Sequence, residues 1–405
     1  MMSGRLLPVA LRIGLLMGLF MGLLIGCGGG GSGSSSNSNP PPPSSADNVL
    51  SLSVNGALCS ANSYPNKACV SVTICAPGST QCQTISDILL DTGSYGLRIF
   101  KQALNVPLEQ ATIGSNPVAE CVQYGDGTSQ WGPVQRASVI LGNEPAVQLP
   151  VQVIDAGFAS LPTGCGNADL RPSDAGFNGI LGVGFFAQDC GQTCADSPAN
   201  GIYYTCNGAA CSGTSVPLSA QVQNPVMLLP QDNNGLVINL PAVAAGGAPF
   251  VDGSVVFGIG TRSNNGVSAV AAYAADRQGN FITTFGGRTY TAFIDSGSNG
   301  LFFGPPDTAL LTQCPSPNSA WFCPSSTAHL TATTAGYSGS PNGTVNFDIG
   351  NFESLLKSSN LVFPDIGGFQ PRNFDWGMPF FFGRTIYVGF DGRTSLLGSG
   401  PYWAY

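Results

Sequence analysis

Short apolar runs separated by glycine-, proline- and asparagine-rich turns recur along the chain. Arms at 70–74 and 84–90 are rich in apolar and β-branched residues and flank the turn sequence APGSTQ, which predicts a β-hairpin. A second pair of arms flanks Asp126-Gly127, and this dipeptide is a strong tight-turn signal. The second pattern predicts a projecting hairpin with Tyr124 near its tip.

Further apolar runs continue the strand pattern toward the C-terminus. They cover 177–186, the sequence VMLLP at 226–230, 235–240, 253–260 and the tail at 374–398. Helical periodicity is weak throughout, and the best short helix is FESLLKSS at 352–359. The pattern therefore predicts an all-β fold, mainly β with short helices.

Composition agrees with many short strands and bounds the domain count. The chain has 405 residues, enough for about two domains. Only 9% of the residues are charged and 43% are hydrophobic, while glycine (55 residues) and proline (30) are abundant. The formal net charge is −8, and the 14 Lys and Arg residues form no cluster. Binding to nucleic acid is not expected, because it requires clustered positive charge.

The N-terminus has the pattern of an export signal. Positive residues bracket the start of an apolar run at 13–25, which ends in the sequence LIGC and resembles a bacterial lipobox. We therefore predict a lipoprotein signal peptide over 1–27 with acylated Cys27, and an ordinary secretory signal is the alternative. Gly28 follows, where no Asp favours inner-membrane retention. The Gly/Ser/Pro-rich segment 28–48 is predicted to be a tether. The expected location is the outer membrane, facing the periplasm or the cell surface.

Cysteine usage also favours export. Apart from Cys27, twelve cysteines remain, and an even number in an exported chain predicts disulfides. Nearest-neighbour pairing is one possibility, which the sequence alone cannot fix. It would join Cys59 to Cys69, Cys75 to Cys82, Cys190 to Cys194, Cys206 to Cys211 and Cys314 to Cys323, leaving Cys121 and Cys165. No metal site is predicted, since His329 is the single histidine and no Cys-x-x-Cys occurs.

An internal repeat is the strongest organisational signal. The stretches ILLDTGSYGLRIF and AFIDSGSNGLFFG share an apolar triplet followed by Asp-x-Gly-Ser-x-Gly-Leu. Their acids, Asp91 and Asp295, lie 204 residues apart (295 − 91), about the length of one small domain. We predict two duplicated β-barrel-like lobes with a cleft between them, an N-terminal lobe at 49–250 and a C-terminal lobe at 251–405.

Residues beside the two acids suit a shared site. Glycines permit tight turns, serines can donate hydrogen bonds to the carboxylates, and two more hydroxyls can lock the loops together. These pairs are, in order, Gly93 and Gly297, Ser94 and Ser298, and Thr92 and Ser296. Two close carboxylates share one proton, because they cannot both ionise cheaply. The ionised acid would take a proton from water, and the protonated acid would polarise a carbonyl, with no metal or organic cofactor.

From about residue 49 to the C-terminus, the sequence resembles the pepsin-like aspartic peptidases, or an unassigned bacterial lipoprotein branch of them. The resemblance is carried by DTGSYGL, DSGSNGL, the flap-like QYGDGTSQWG and the strand sequences FNGILGVG and GSVVFGIG. It implies a bilobal pepsin-like acid-protease fold, Asp91 and Asp295 as the catalytic dyad, and Tyr124 as the flap tyrosine that covers a peptide substrate. The sequence departs from the family at Arg98, where Trp is usual, and at Asp375, where an apolar residue is usual. Arg98 could donate to the Tyr124 hydroxyl, or Trp131 could pack there instead.

Two functions remain open at this stage. The first is a cell-envelope aspartic endopeptidase that hydrolyses peptide or protein substrates through the two acids. The second is a non-catalytic lipoprotein of the same fold, acting as a binding or structural module. In either case we expect a monomer that contacts the lipid bilayer through its N-terminal anchor. A serine hydrolase is disfavoured, because no Gly-x-Ser-x-Gly elbow occurs.

Overall fold

The computed structural model describes residues 46–61, 63–267, 269–305 and 311–405. The predicted signal peptide with Cys27, and the tether up to residue 45, lie outside the described residues. Within the described ranges, the structure is built mainly from strands, with a few helices of three to five residues. This confirms the all-β prediction. None of the helices in the described part of the chain is long and apolar enough to cross a membrane.

The strands are numbered in chain order. They are β1 (Val49–Val54), β2 (Ala68–Cys75), β3 (Cys82–Asp91), β4 (Tyr95–Phe100), β5 (Glu109–Gln110), β6 (Thr112–Ile113), β7 (Asn116–Gln123), β8 (Ser129–Ile140), β9 (Val147–Ile154), β10 (Gly179–Val183), β11 (Tyr203–Asn207), β12 (Ala210–Gly213), β13 (Gly235–Asn239), β14 (Val251–Phe257), β15 (Ala272–Ala274), β16 (Phe281–Phe285), β17 (Arg288–Ile294), β18 (Leu301–Phe303), β19 (Ala328–Ala335), β20 (Asn342–Ile349), β21 (Gly367–Phe369), β22 (Asn373–Trp376), β23 (Thr385–Gly389), β24 (Thr394–Ser395), β25 (Gly398–Ser399) and β26 (Tyr402–Ala404).

The helices are short and lie between strands. The α-helices are α1 (Pro172–Ala175), α2 (Gln192–Asp196) and α3 (Phe352–Leu355), and the 3-10 helices are Lys101–Ala103, Leu218–Ala220, Pro225–Leu228 and Met378–Phe381. The predicted strand at 226–230 is wrong. Pro225 begins a 3-10 helix there, and the Asn224 side chain accepts a hydrogen bond from the Val226 N–H at its start.

Two sheets contain nearly all the strands. Seventeen strands, β1–β15 with β23 and β26, form one continuous sheet, while β16–β22 form a seven-stranded sheet in the order β20-β19-β16-β17-β22-β18-β21. In the larger sheet, β1 pairs with β14, β14 with β13, β13 with β23 and β23 with β26. Strands from both ends of the chain therefore share one sheet, and a continuous apolar core packs against both sheets.

Both predicted hairpins are present. The first is β2–β3, closed where Cys75 pairs with Cys82. The second is β7–β8, with its turn around Gly127, whose φ of +86° favours glycine. In the described residues, five disulfides join the cysteines that nearest-neighbour pairing would join, and a sixth joins the two that it leaves over, Cys121 and Cys165. Six disulfides are typical of an exported protein.

The same three-strand arrangement holds each acidic loop. Strand β10 lies between β3 and β4, parallel to the first and antiparallel to the second. Strand β22 lies in the same way between β17 and β18. Gly182 and Gly377 occupy matching positions, and a Cβ on them would lie 2.6 Å from Tyr95 N and 2.1 Å from the Gly300 carbonyl oxygen. Glycine at these positions lets β10 and β22 pack closely against the chain beside the two acids.

Candidate active site

Each acid lies at the C-terminal end of its strand and is held by its own turn. The Asp91 carboxylate accepts hydrogen bonds from the Gly93 N–H at 2.8 Å and from the Ser94 hydroxyl at 2.5 Å. The Asp295 carboxylate accepts equivalent hydrogen bonds from Gly297 and Ser298. Both acids are almost fully buried. Such bonds orient the carboxyl groups before any substrate arrives.

The equivalent bonds complete an approximate two-fold arrangement. The Gly297 N–H donates to Asp295 Oδ1 at 2.8 Å, and the Ser298 hydroxyl donates to Asp295 Oδ2 at 3.0 Å. Glycine is required at both turns because the opposing acid comes so close. A Cβ on Gly93 would lie 2.6 Å from Asp295 Cγ, and one on Gly297 would lie 2.7 Å from Asp91 Cγ. The structure thus brings the two sequence-distant carboxyl groups together.

Reciprocal hydroxyl bonds lock the two loops. The Thr92 hydroxyl donates to the Ile294 carbonyl at 2.9 Å and accepts from the Ser296 N–H at 2.9 Å. The Ser296 hydroxyl donates to the Leu90 carbonyl at 2.8 Å and accepts from the Thr92 N–H at 3.1 Å. Four buried backbone groups depend on these two side chains, so the pair fixes the separation of the loops.

The electrostatics of the site favour a shared proton. Burial raises the pKa of Asp295 well above its usual range, and the charges of Asp91 and then Asp375 raise it further. A hydrogen bond with Asp91 acts in the same direction, and the Gly297 N–H opposes it. Two adjoining carboxyls that cannot both ionise cheaply titrate as a pair. The pair therefore holds its last proton at a higher pH than an isolated aspartate does.

A third carboxyl group adjoins the dyad. The Ser298 hydroxyl lies 2.7 Å from Asp375 Oδ2, so this serine bridges Asp375 and Asp295. Asp375 is 1% exposed, and burial raises its pKa well above the usual range. Strand β10 corresponds to β22, and the residue of β10 that is equivalent to Asp375 is Ile180, two positions before Gly182. The sequence marked Asp375 as unusual, but its bridge to the dyad depends on the tertiary fold.

Tyr124 occupies the turn of the β7–β8 hairpin. Its hydroxyl donates to Gln130 Oε1 at 2.8 Å, and its ring is buried in a cluster with Phe100 and Phe177. It also lines a cavity of about 460 Å³ together with Gly93 and Ser94. Tyr124 and the Asp91 loop therefore share one cavity.

The two side chains that the sequence suggests as neighbours of Tyr124 have different surroundings. Trp131 packs edge-on against Tyr204 at 5.6 Å, beside the Cys121 disulfide. Arg98 is buried close enough for Tyr124 to affect the pKa of its guanidinium. Its guanidinium donates to carboxylates that the sequence analysis did not single out. Those acids, Glu120 and Asp189, carry no local motif and come together only through the fold.

The described architecture matches a solved enzyme structure. The chain is similar to the crystal structure of aspartic proteinase from Irpex lacteus, with a TM-score of 0.50 and 13% sequence identity. The match covers 88% of this chain and 96% of that chain. No curated protein sequence matches the chain. At this identity the likeness shows the fold, which is the bilobal pepsin-like aspartic proteinase fold.

The fold and the paired acids thus define a pepsin-like, two-lobed β protein. Its family is shown separately, because residues 44–405 match the family model described as "Protein of unknown function (DUF3443)". The chain belongs to that family.

Proposed function

We propose that the protein is an exported aspartic endopeptidase. The observation that carries this proposal is the contact between Asp91 and Asp295 across interlocked loops. Each carboxyl packs against the glycine of the opposing turn, and the pKa of Asp295 is raised well above its usual range. Paired carboxyls with one proton supply both a general base and a general acid, which peptide hydrolysis by water requires.

In the proposed reaction, the two acids have different roles. Asp91 takes a proton from a water molecule as that water attacks the scissile carbonyl carbon. Asp295 holds its proton toward the carbonyl oxygen and stabilises the developing charge. The proton gained by Asp91 then passes to the leaving amine as the C–N bond breaks. Thr92 and Ser296 keep the acids in register, and Tyr124 covers the substrate.

The remaining parts of this proposal concern the setting. We place the peptidase at the outer membrane, attached through an acylated Cys27 and the tether at 28–48. The six disulfides support an oxidising, exported environment. We propose that it works as a monomer on peptide or protein substrates, with the bilayer as its other contact.

A peptide-library digest from acidic to neutral pH tests the proposal. We expect wild type to cleave peptides, and Asp91→Asn and Asp295→Asn each to lose at least about 100-fold in rate. Asp365→Asn is the matched control, because it changes a buried aspartate outside the site. It should retain cleavage. Equal cleavage by all four proteins contradicts the dyad assignment.

A binding module of the same fold is the second candidate. It is favoured by one observation, the third buried carboxyl of Asp375 beside the dyad, which departs from the resemblance. Under this candidate, peptides or a statine-type inhibitor bind with measurable affinity, yet wild type cleaves nothing across the pH range. Calorimetric titration of wild type and the two dyad variants separates the two candidates.

A further inference from the structure

A cavity beside the proposed dyad is lined in part by charged side chains. Its volume is about 460 Å³, and it is bounded by Gly93 and Ser94 on one side and by Tyr124 on another. The loop closed by the Cys190–Cys194 disulfide forms a further wall. Because Gly93 and Ser94 hold the Asp91 carboxylate, a side chain in this cavity would belong to a residue near the scissile bond.

The charged side chains that line the cavity are those of Arg98, Glu120 and Asp189, and all three are buried. The Arg98 Nη2 donates to Glu120 Oε1 at 2.8 Å and to Asp189 Oδ2 at 2.9 Å, while its Nη1 donates to the Tyr95 carbonyl at 2.7 Å. Arg98, Glu120 and Asp189 are 1%, 0% and 5% exposed. One guanidinium therefore serves two carboxyl groups, and the cluster carries one excess negative charge when both are ionised.

The hydrogen bonding of this cluster is incomplete. Within the part of the chain that the structure describes, Glu120 Oε2 has no hydrogen-bond partner. Asp189 Oδ1 is satisfied, because the Tyr203 hydroxyl donates to it at 2.7 Å and itself accepts from the Val222 N–H. A buried carboxylate oxygen without a donor is costly. The residues that line the cavity thus include two buried carboxyl groups with one cation between them, and one of their oxygens lacks a donor.

We propose that this cavity is a subsite for a lysine or arginine side chain of the peptide, an inference that rests on the proposed peptidase function. A cationic guest supplies the missing donor and balances the second carboxylate. An apolar guest would leave two buried carboxyls with Arg98 as their single cation, and an acidic guest would be repelled. Specificity built on buried polar partners is strong, because the wrong guest leaves those partners unsatisfied.

Binding of the cation is linked to a proton. Burial, the charge of Glu120 and a hydrogen bond with Glu120 raise the pKa of Asp189, while Arg98 and the Tyr203 hydroxyl lower it. Tyr124 adjoins Arg98 from the hairpin side. A cation placed in the cavity would oppose these effects, lower the pKa of Asp189 and favour release of a proton. The preference for basic side chains should accordingly increase with pH.

Matched peptides test the subsite. They are identical except at one position near the scissile bond, which carries lysine, arginine, glutamine, norleucine or glutamate, and kcat/KM is measured for each. We expect lysine or arginine to exceed norleucine by at least about tenfold at one position, with the ratio rising with pH. A norleucine or glutamine peptide that is cleaved as well as the lysine peptide at every position overturns the proposal.

Variants at the exposed mouth of the cavity separate charge from size without disturbing the buried cluster. Thr193 is exposed and lines the cavity. Thr193→Lys supplies a competing cation and should reduce the lysine-to-norleucine ratio several-fold, whereas Thr193→Met, of similar length, should keep the ratio. Asp189→Asn should reduce the ratio as well. If Asp189→Asn fails to fold, the Thr193 pair still decides, and an equal ratio in both Thr193 variants overturns the inference.

A failure of the peptidase proposal can be distinguished from a failure of the subsite. If wild type cleaves none of the peptides, their binding to the full chain is measured by calorimetry in two buffers of different ionisation enthalpy. Tighter binding of the lysine peptide with net proton release supports the subsite and rejects hydrolysis. Equal binding of lysine and norleucine peptides without proton release rejects the subsite.

Discussion

Removing the charge of Asp375 should move the pH range in which the protein cleaves peptides. Asp375 reaches the dyad through Ser298, whose hydroxyl lies 2.7 Å from Asp375 Oδ2 and 3.0 Å from Asp295 Oδ2. A negative charge at Asp375 makes loss of the dyad proton harder. The high-pH limb of kcat/KM, which reports that loss, should therefore move to lower pH in Asp375→Asn and Asp375→Leu.

The geometry sets the size of the shift. The two carboxylate oxygens are separated by at most the sum of these distances, about 5.7 Å. Two unit charges at about 5.7 Å interact by about 3 kcal/mol at an effective dielectric constant of about 20, which equals about two pKa units. This is the shift for a fully ionised Asp375. Because burial raises the pKa of Asp375 and each charge is spread over two oxygens, we expect a shift of at most about one to two pH units.

The assay is kcat/KM against pH for one good peptide substrate. Asp365→Asn, a buried acid away from the dyad, is the control and should leave the limb in place. Agreement between Asp375→Asn and Asp375→Leu would show that charge, rather than the shape of the side chain, sets the position of the limb. An unmoved limb in Asp375→Asn would refute the electrostatic reasoning.

Three further predictions concern stability, measured by urea unfolding. Ser296→Ala removes the hydroxyl partner of two buried backbone groups and should lower the free energy of unfolding by about 2 kcal/mol. The double variant with Thr92→Val should lose less than the sum of the two single changes, because both side chains belong to one network. Full additivity would contradict this. Asp87→Asn leaves the buried Lys67 ammonium, 2.7 Å away, without its carboxylate and should lower the free energy of unfolding by about 3–5 kcal/mol. Replacing both residues with apolar side chains should recover most of this loss. An unchanged unfolding midpoint in Asp87→Asn would contradict the prediction. Burial and neighbouring acids raise the pKa of Glu144 to about 7, so its stabilising contribution should be lost as pH rises from about 4.5 through about 7; an identical pH dependence in Glu144→Gln would contradict it.

The sequence was most informative where structure depends on short-range patterns. The two hairpins and the all-β class follow from turn residues and alternation, and the structure has them. Cysteine spacing indicated disulfides and suggested five of the six pairs without fixing them. The strand predicted at 226–230 is wrong, because a short apolar run is compatible with either a strand or a helical turn. There Pro225 and the side chain of Asn224 decide in favour of the helical turn.

The site was accessible from the sequence only as far as the duplication reaches. The repeat drew attention to the residues around Asp91 and Asp295, since both copies carry the same turn. The cluster of Arg98, Glu120 and Asp189 has no such signature, because its members come from three separate parts of the chain. Long-range burial of charge is a property of the fold, so no local pattern records it.

The proposed peptidase mechanism requires Asp91 and Asp295 to share one proton. Carboxyl-labelled aspartate, followed by NMR across the pH range, tests it in wild type and in Asp91→Asn. We predict that the Asp295 resonance titrates well above the usual aspartate range in wild type, and at lower pH once the charge of Asp91 is removed. Titration of Asp295 at the same pH in both proteins would contradict the account.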